Sequence, residues 1–501
     1  LKILDIKVFS KKIIKKYIYV FTFLTGALYT LSFPPFNFKP LIFFSLASFF
    51  YFLIISNRKK SMLISYIYAL SIFTTGVSWI FNSIYFYGGE YLVISLFLTM
   101  LFILLMSAFF IPIGLFINKQ SQNVSYLYPI MVPSVWVFIE LARSYVFGGF
   151  PWLLVGTSQI ETLFNVVFPL FGTYFVSFLI VMLSIIITLI INDRKFISLS
   201  IKYLISIIGL IIIFQIYQPN LLPHENQKPL RVSLVQPNIH LGIKYDKSKI
   251  NLIKNKYSEL LDNDMHNLII LPETAIPTLY ESDKNFYKNI LKNKNTHLIT
   301  GIFRYNKSNN EIYNSMLSLS DKEYFYDKRH MVPFGEYTPL DFIFGFIGEI
   351  LNLPMSNLTE GKKIQKPFIF NETSIHQLIC YEAAFPSLLN ITNDFSFIVN
   401  VSNDAWFGNS LAPYQHLQIA QSRALESNKY LVRVANTGIS AIIDQNGKIV
   451  NKIKLNTEGV INSRILALKG ITPYMRFGDY PVLMLIFSIM LFYWNSYKKY
   501  G

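Results

Sequence analysis

Between residues 17 and about 217 the chain is a succession of apolar stretches, and that run limits the fold more than any other feature. A bilayer's hydrocarbon core takes roughly 20 apolar residues per helix. The stretches Tyr17–Phe33, Leu41–Ser56, Met62–Phe81, Leu92–Ile117, Tyr126–Ala142, Leu163–Ile191 and Ile197–Tyr217 have about that length, as does Pro481–Trp494 near the C-terminus. Eight transmembrane helices are expected, the longest able to tilt or kink. Residues 229 to about 470 read as a water-exposed domain between spans seven and eight. The expected division is a bundle over 1–217, a soluble domain over 229–470 and a final helix over 481–496. With 52% hydrophobic and only 15% charged residues, the chain is too apolar for an ordinary soluble protein.

A formal charge of +16 suggests a polyanion partner, but its distribution argues against nucleic acid. Lys2, Lys7, Lys11, Lys12, Lys15 and Lys16 precede the first span; Arg58, Lys59 and Lys60 follow the second; Lys119 follows the fourth. Arg194 and Lys195 follow the sixth, and Lys498 and Lys499 the eighth. These are alternate loops, so the positive-inside rule puts both termini in the cytoplasm and the soluble domain on the opposite side. The first span has a basic flank but no small-residue cleavage pattern, and reads as an uncleaved anchor. Leu1 as first residue points to a truncated chain or an unusual start codon.

Within the soluble segment, strand-like runs recur at Arg231–Gln236, Leu268–Leu271, Leu298–Phe303, Ser315–Leu319, Ile375–Ile379, Phe397–Val401, Tyr430–Val434 and Ile439–Ile443. Helical spacing appears over Asp246–Leu261, capped by Asp246, with Ile250, Ile253 and Tyr257 inward. A second helix spans Ala412–Ser427, with Asn409 and Ser410 as candidate caps and Leu417, Ala420 and Ala424 inward. This alternation argues for a layered α/β domain. Asn446-Gly447 is a hairpin signal.

Cys380 is the chain's single cysteine. Outside the cytosol, where disulfides form readily, it has no partner within the chain, which also excludes a cysteine-rich zinc site. The seven histidines show no ligand spacing such as HExxH, so no metal is expected. The run Ile375-His376-Gln377-Leu378-Ile379 followed by Cys380-Tyr381-Glu382 reads as a strand carrying a thiol to its tip before a turn. Such an elbow holds a nucleophile out of the sheet; the alternative is a buried cysteine acting as a small hydrophobe. Two other segments place a polar group just beyond a strand. They are Leu268-Ile269-Ile270-Leu271-Pro272-Glu273, and Tyr324-Phe325-Tyr326-Asp327-Lys328-Arg329-His330 leading to Val332-Pro333-Phe334-Gly335-Glu336. A carboxylate, an ammonium and a thiol are the parts acyl transfer needs: a base for the thiol proton and a cation for the oxyanion.

These segments resemble the Glu-Lys-Cys triad of the nitrilase superfamily. The resemblance implies Glu273 as general base, Lys328 as oxyanion stabiliser and Cys380 as nucleophile. Glu336 would support the triad, the N–H of Tyr381 would complete the oxyanion hole, and Glu382 belongs to the Cys-Tyr-Glu motif. A nitrilase domain inserted before a last span resembles the bacterial apolipoprotein N-acyltransferases. That likeness extends to Pro34-Pro35-Phe36-Asn37-Phe38, Gly76-Val77-Ser78-Trp79, Tyr87-Gly88-Gly89, Gly149-Phe150-Pro151-Trp152-Leu153, Val235-Gln236-Pro237-Asn238-Ile239 and Ser402-Asn403-Asp404-Ala405-Trp406-Phe407-Gly408. The implied fold is a membrane α-helical bundle of about eight helices plus an extracytoplasmic α-β-β-α sandwich.

The implied reaction is ping-pong. The acyl donor is a membrane phospholipid, the acceptor is the α-amino group of a diacylated apolipoprotein, the bilayer is the setting, and no cofactor is involved. Trp406 and Phe407 read as lipid contacts beside the thioester or as core aromatics. Phe150 and Trp152 lie in an apolar loop that dips into the interface or makes a tight turn, and Trp152 also suits an interfacial anchor. Tyr245 stands where the family often has tryptophan, which leaves an aromatic packing role.

Two rival functions share parts of this pattern. A membrane-tethered nitrilase or amidase would use the same triad and differ only in its acceptor. A transporter with an external sensor would need ionisable groups at the membrane midplane; Glu140 and Arg143, near one end of the fifth span, are the main candidates and equally suit positioning a phosphate or stabilising the helix end.

Overall fold

The structure, a computed structural model, describes residues 13–89, 91–118, 126–221, 224–225, 229–261, 267–291, 296–337, 358–389 and 394–500. Of the basic residues placed beside spans, Lys2, Lys7, Lys11, Lys12 and Lys119 fall outside them.

Every apolar stretch is helical: α1 Ile18–Thr30, α2 Leu41–Ile54, α3 Arg58–Val77, α4 Leu92–Ala108, α5 Tyr128–Tyr145, α6 Phe168–Asn192 and α7 Ile197–Leu221. Four stretches, Leu92–Phe116, Tyr128–Gly148, Leu163–Asn192 and Arg194–Ile216, are long and apolar enough to cross a membrane. Arg58–Val77 with Ile80–Phe86, bent by 53°, makes a fifth. Ile18–Thr30, Leu41–Ile54 and Tyr480–Ser496 are apolar but shorter. At 1.5 Å per residue, the 13 residues of α1 extend roughly 20 Å, less than a ~30 Å hydrocarbon core. By length alone, then, the structure supports a helical region with four to five candidate spans rather than eight. Hydropathy counted Leu31–Phe33 into the first span, but they lie beyond the end of α1 and Pro34-Pro35 follows. The candidate windows in α4 and α7 are only 28% and 22% buried, so their apolar side chains face outward, where lipid satisfies them.

The soluble segment forms two six-stranded sheets. The first runs in the order β12, β1, β2, β3, β4, β5, and the second β11, β10, β9, β8, β7, β6. Their strands are β1 Leu230–Gln236, β2 Leu268–Ile270, β3 His297–Asn306, β4 Glu311–Leu319, β5 Glu323–Asp327, β6 Phe368–Phe370, β7 Thr373–Ile379, β8 Phe397–Ser402, β9 Tyr430–Ala435, β10 Ser440–Ile443, β11 Ile449–Ile453 and β12 Gly459–Ile465. The pairs β1–β2, β2–β3, β7–β8 and β8–β9 are parallel and the others antiparallel. Val232, Leu234 and Ile270 of one sheet share a core with Ile375, Val399 and Val432 of the other, so the sheets pack face to face. The Asn446-Gly447 pair turns β10 into β11, with Gly447 at φ +76°.

Helices α8 Ile250–Leu260 and α9 Tyr280–Ile290 cover the first sheet through Ile253, Tyr257 and Tyr287. Helix α10, Ala412–Ser427, covers the second sheet through Leu417, Ala420 and Ala424. Its opposite side belongs to the membrane bundle's core through Ala412, Ile419 and Leu425. Helix α10 is therefore a shared layer, and helix α11, Tyr480–Tyr500, returns the chain to α5.

A pair of hydrogen bonds to Glu426 helps fix that shared layer. Helix α6 breaks at Gly172, where φ is +75° and a Cβ would come within 2.2 Å of the Tyr474 ring. The break frees the N–H of Thr173, which donates to Glu426 Oε1 of α10 at 3.0 Å, as the Thr173 hydroxyl does at 2.6 Å. Burial pushes the Glu426 carboxyl up to about 7, against the opposing pull of Arg423. Glu426→Ala leaves Arg423 and the Thr173 N–H buried without their carboxylate. The expected loss is about 3–5 kcal/mol, read as a lowered Tm in detergent, with Glu426→Gln intermediate because its amide oxygen still accepts.

Candidate functional site

Cys380 ends β7 in the left-handed region, φ +49°, a conformation costly for a residue with a Cβ and held by its surroundings. The main restraint is Glu382, which is fully buried. Its carboxylate accepts from Ile379 N at 2.7 Å, Arg329 N at 2.6 Å, His330 N at 3.2 Å and the Tyr326 hydroxyl at 3.0 Å. One side chain thus pins the cysteine elbow to the segment carrying Lys328. From the other side, His416 Nε2 lies 3.2 Å from the Cys380 carbonyl, and its Nδ1 3.0 Å from Asp404, which Arg433 grips at 2.7 Å.

Glu273 follows β2 and Pro272. Its backbone passes so close to Gly301 in β3 that a Cβ there would sit 2.4 Å from the Glu273 Cα. Lys328 follows β5, and its Nζ lies 2.8 Å from Glu336 Oε1 and 3.7 Å from Glu273 Oε1. Asn314 Nδ2 of β4 donates to both carboxylates, at 2.8 Å to Glu273 and 3.0 Å to Glu336. Glu336 Oε2 accepts from Val332 N at 2.8 Å, closing the turn that carries it. Burial disfavours the Lys328 ammonium, but Glu336 and Glu273 outweigh it and its pKa is raised. At Cys380, burial and then the Glu273 charge push the thiol up to about 12, opposed by Lys328 and by the Ser402 hydroxyl, which donates to Sγ at 3.5 Å. A thiol so placed does not ionise unaided at neutral pH. The arrangement suits a nucleophile that loses its proton to an adjacent carboxylate as it attacks.

The candidate binding aromatics fall into two groups. Tyr245, Trp406 and Phe407 are partly exposed, with the Tyr245 and Trp406 rings 6.2 Å apart. Phe150 and Trp152 are 8% and 1% exposed, stacked at 5.8 Å, with Trp152 Nε1 donating to Gln415 of α10. Trp152 is thus packed against α10 in this structure. Trp79 joins the groups, 5.2 Å from Trp152 and 4.8 Å from Phe407. Asn82 and Ser83, at the bend after α3, donate to the carbonyls of Phe407 and Trp406. Arg143 donates to the carbonyls of Phe150 and Trp152, and Glu140 accepts from Val155 N and Trp136. The pair therefore brackets this loop. The loop in turn accepts from Tyr381 at Gly149 O and lies 2.8 Å from His330 Nε2 at Gly148 O, so the bundle touches the cysteine elbow directly.

Residues 25–186 match the apolipoprotein N-acyltransferase N-terminal domain, and residues 231–468 the carbon-nitrogen hydrolase domain. The apolipoprotein N-acyltransferase of Coxiella burnetii is 34% identical over 482 residues, covering 94% of this chain and 99% of that protein. The chain belongs to the apolipoprotein N-acyltransferase family. The Pasteurella multocida member is 31% identical, covering 97% of this chain and 96% of its own length. Among solved structures, a CN-hydrolase superfamily protein from Xanthomonas campestris aligns over 48% of this chain and 91% of its own, with 19% identity and a TM-score of 0.36.

Within this family member, the sequence reading missed Asn314, His416 and Lys244. Asn314 had a signal, a polar amide inside the otherwise β-forming run Glu311–Leu319. Lys244 had none, being one of 45 Lys and Arg residues.

Proposed function

We propose that this chain transfers an acyl chain from a membrane glycerophospholipid to the N-terminus of diacylated apolipoproteins through a thioester on Cys380. Glu273 takes the thiol proton as sulfur attacks the ester carbonyl. Lys328 and the Tyr381 N–H hold the resulting oxyanion, and the lysophospholipid leaves with the proton. The α-amino group of the diacylglyceryl-cysteine then attacks the thioester. With a pKa of roughly 7.7–8.0 it is partly neutral at neutral pH, and Glu273 accepts the proton it sheds. Sulfur leaves and an amide forms, which is more stable than the ester consumed. Glu336 and Glu382 hold Lys328 and the elbow in place, and Tyr245, Trp406, Phe407, Phe150 and Trp152 flank the lipid path.

The observation that carries this reading is a buried ammonium between two carboxylates, acting with Glu273 on a thiol at a left-handed elbow that sits against an apolar bundle. Lipid substrates need a thiol within reach of the membrane. In this reading the shorter helices also cross, giving eight spans divided as 1–217, 229–470 and 481–496, in the bacterial inner membrane. The alternate basic loops then put both termini in the cytoplasm and the catalytic domain in the periplasm.

Mass spectrometry of the enzyme incubated with phospholipid alone tests the reading. The expected product is Cys380 carrying one acyl chain, discharged as an amide when a diacylated lipopeptide is added. Discharge to free fatty acid would instead indicate a hydrolase, and an unmodified Cys380 would remove the reading.

A further inference from the structure

Lys244 belongs to none of the motifs discussed above, yet it reaches the centre of the site. It closes the short helix Leu241–Lys244, and the preceding chain is fixed by Asn436, which donates to Ile239 O at 2.7 Å and accepts from Ile239 N at 2.9 Å. Asn436 also donates to Asn403, in the loop that leads to Trp406. Anchored in this way, the Lys244 side chain is 1% exposed, and its Nζ donates to the main-chain oxygen of Glu273 at 3.0 Å. Burying an ammonium is unfavourable unless it is compensated. Here the compensation is that carbonyl together with the field of the site.

We propose that Lys244 is a positioning residue and the second cation of the acyl-transfer site, holding Glu273 by its backbone and favouring the negative charge that develops on Cys380 as Glu273 takes its proton. The inference rests on the acyl-transfer reading. The ionisable groups acting on Lys244 are Glu273, from the turn after β2, and Cys380, from the elbow; Lys328 and Glu336 join through Glu273, and Tyr245 follows Lys244 in its own segment. Burial lowers the Lys244 ammonium to about 8, against the opposing pull of Glu273 and Cys380. Its charge is present below that pH and lost above it, so acyl-enzyme formation should weaken on the alkaline side.

The test is single-turnover acylation of Cys380 by vesicles of phosphatidylglycerol, whose head group does not titrate between about pH 6 and 10. Wild type, Lys244→Arg and Lys244→Met are compared. The wild-type rate is expected to fall above about pH 8. Lys244→Arg should keep most of the rate and extend its plateau upward, because guanidinium does not titrate there. Lys244→Met should be slower by roughly ten- to a hundredfold and lack the alkaline limb. An arginine variant as slow as the methionine variant, or one with the wild-type pH profile, overturns the proposal, as does a methionine variant as fast as wild type. If wild-type Cys380 takes no acyl chain, the transfer reading fails instead. The same three proteins are then compared by iodoacetamide alkylation of Cys380 at neutral pH, where slowing confined to Lys244→Met is expected and equal rates overturn the role of Lys244.

Discussion

Cys380→Ser is expected to abolish N-acylation, by about four orders of magnitude or more, while leaving the protein folded and inserted. The substitution is nearly isosteric at the margin of the inter-sheet core, and the serine hydroxyl can still meet Ser402, 3.5 Å from the native sulfur. The chemistry is what changes. The native thiol is already pushed up to about 12 by burial and Glu273, so attack depends on proton transfer in the same step. An alcohol is a harder acid to deprotonate and a worse leaving group from the acyl intermediate, so both halves of the ping-pong cycle suffer. Accumulated diacylated lipoprotein, read by mass spectrometry beside normal membrane fractionation of the variant, checks the prediction. Retained triacylation would mean that the sulfur is not the nucleophile.

The site's ends were legible in the sequence because each member of the proposed triad stands within a few residues of a strand's end. Strands β2 and β7 are short, buried and rich in branched residues, so the strands before Glu273 and Cys380 could be read from their apolar pattern, while the roles of the two residues came from the nitrilase-like motifs around them. The shell behind them could not be read in this way. Asn314 meets Glu273 across 41 residues, a pairing that exists only once β2, β3 and β4 assemble, and Glu382 meets Arg329 across 53, which needs the two sheets stacked. The outer strands β11 and β12 escaped notice for another reason. Ile449–Ile453 and Gly459–Ile465 carry exposed residues such as Asn451, Lys452 and Asn462, which weaken the apolar pattern of an edge strand. Helix α10 was found at its correct length, but its double burial was not, because Gln415, Arg423 and Glu426 look like a solvated face until the bundle supplies their partners. Hydropathy likewise found the apolar helices among the described residues yet overran α1, since average apolarity does not register where backbone hydrogen bonding stops.

Those bundle contacts bear on how the chemistry meets its substrates. The 148–153 loop is held from below by Arg143 and touches the elbow from above through Tyr381, while Trp79 ties Trp152 to Phe407. The membrane part is thus more than an anchor, because it packs against the elbow that carries the thiol. A catalytic domain released from its helices would expose that packed surface, including Phe385 and the bundle-facing side of α10.

Lys328→Met should be nearly as damaging as loss of the thiol, and for two separable reasons. The ammonium lies 2.8 Å from Glu336 and 3.7 Å from Glu273, and Asn314 alone would then bridge the two carboxylates. Removing the cation deletes the proposed oxyanion partner, worth about a hundred- to a thousandfold by itself. It also leaves two buried carboxylates bridged by Asn314 with no cation between them, and their repulsion displaces Glu273 from its place beside the thiol. Stripping one partner from a buried ion pair adds a stability loss of about 3–5 kcal/mol. Lys328→Met combined with Glu336→Gln separates the effects. The added amide relieves the repulsion and can still bond Asn314, so Tm should recover most of its loss, whereas acyl-enzyme formation should stay absent because nothing replaces the positive charge beside the carbonyl oxygen. Recovered acylation in that double variant would show that the oxyanion is stabilised elsewhere, with Lys328 needed only to keep its two carboxylates apart.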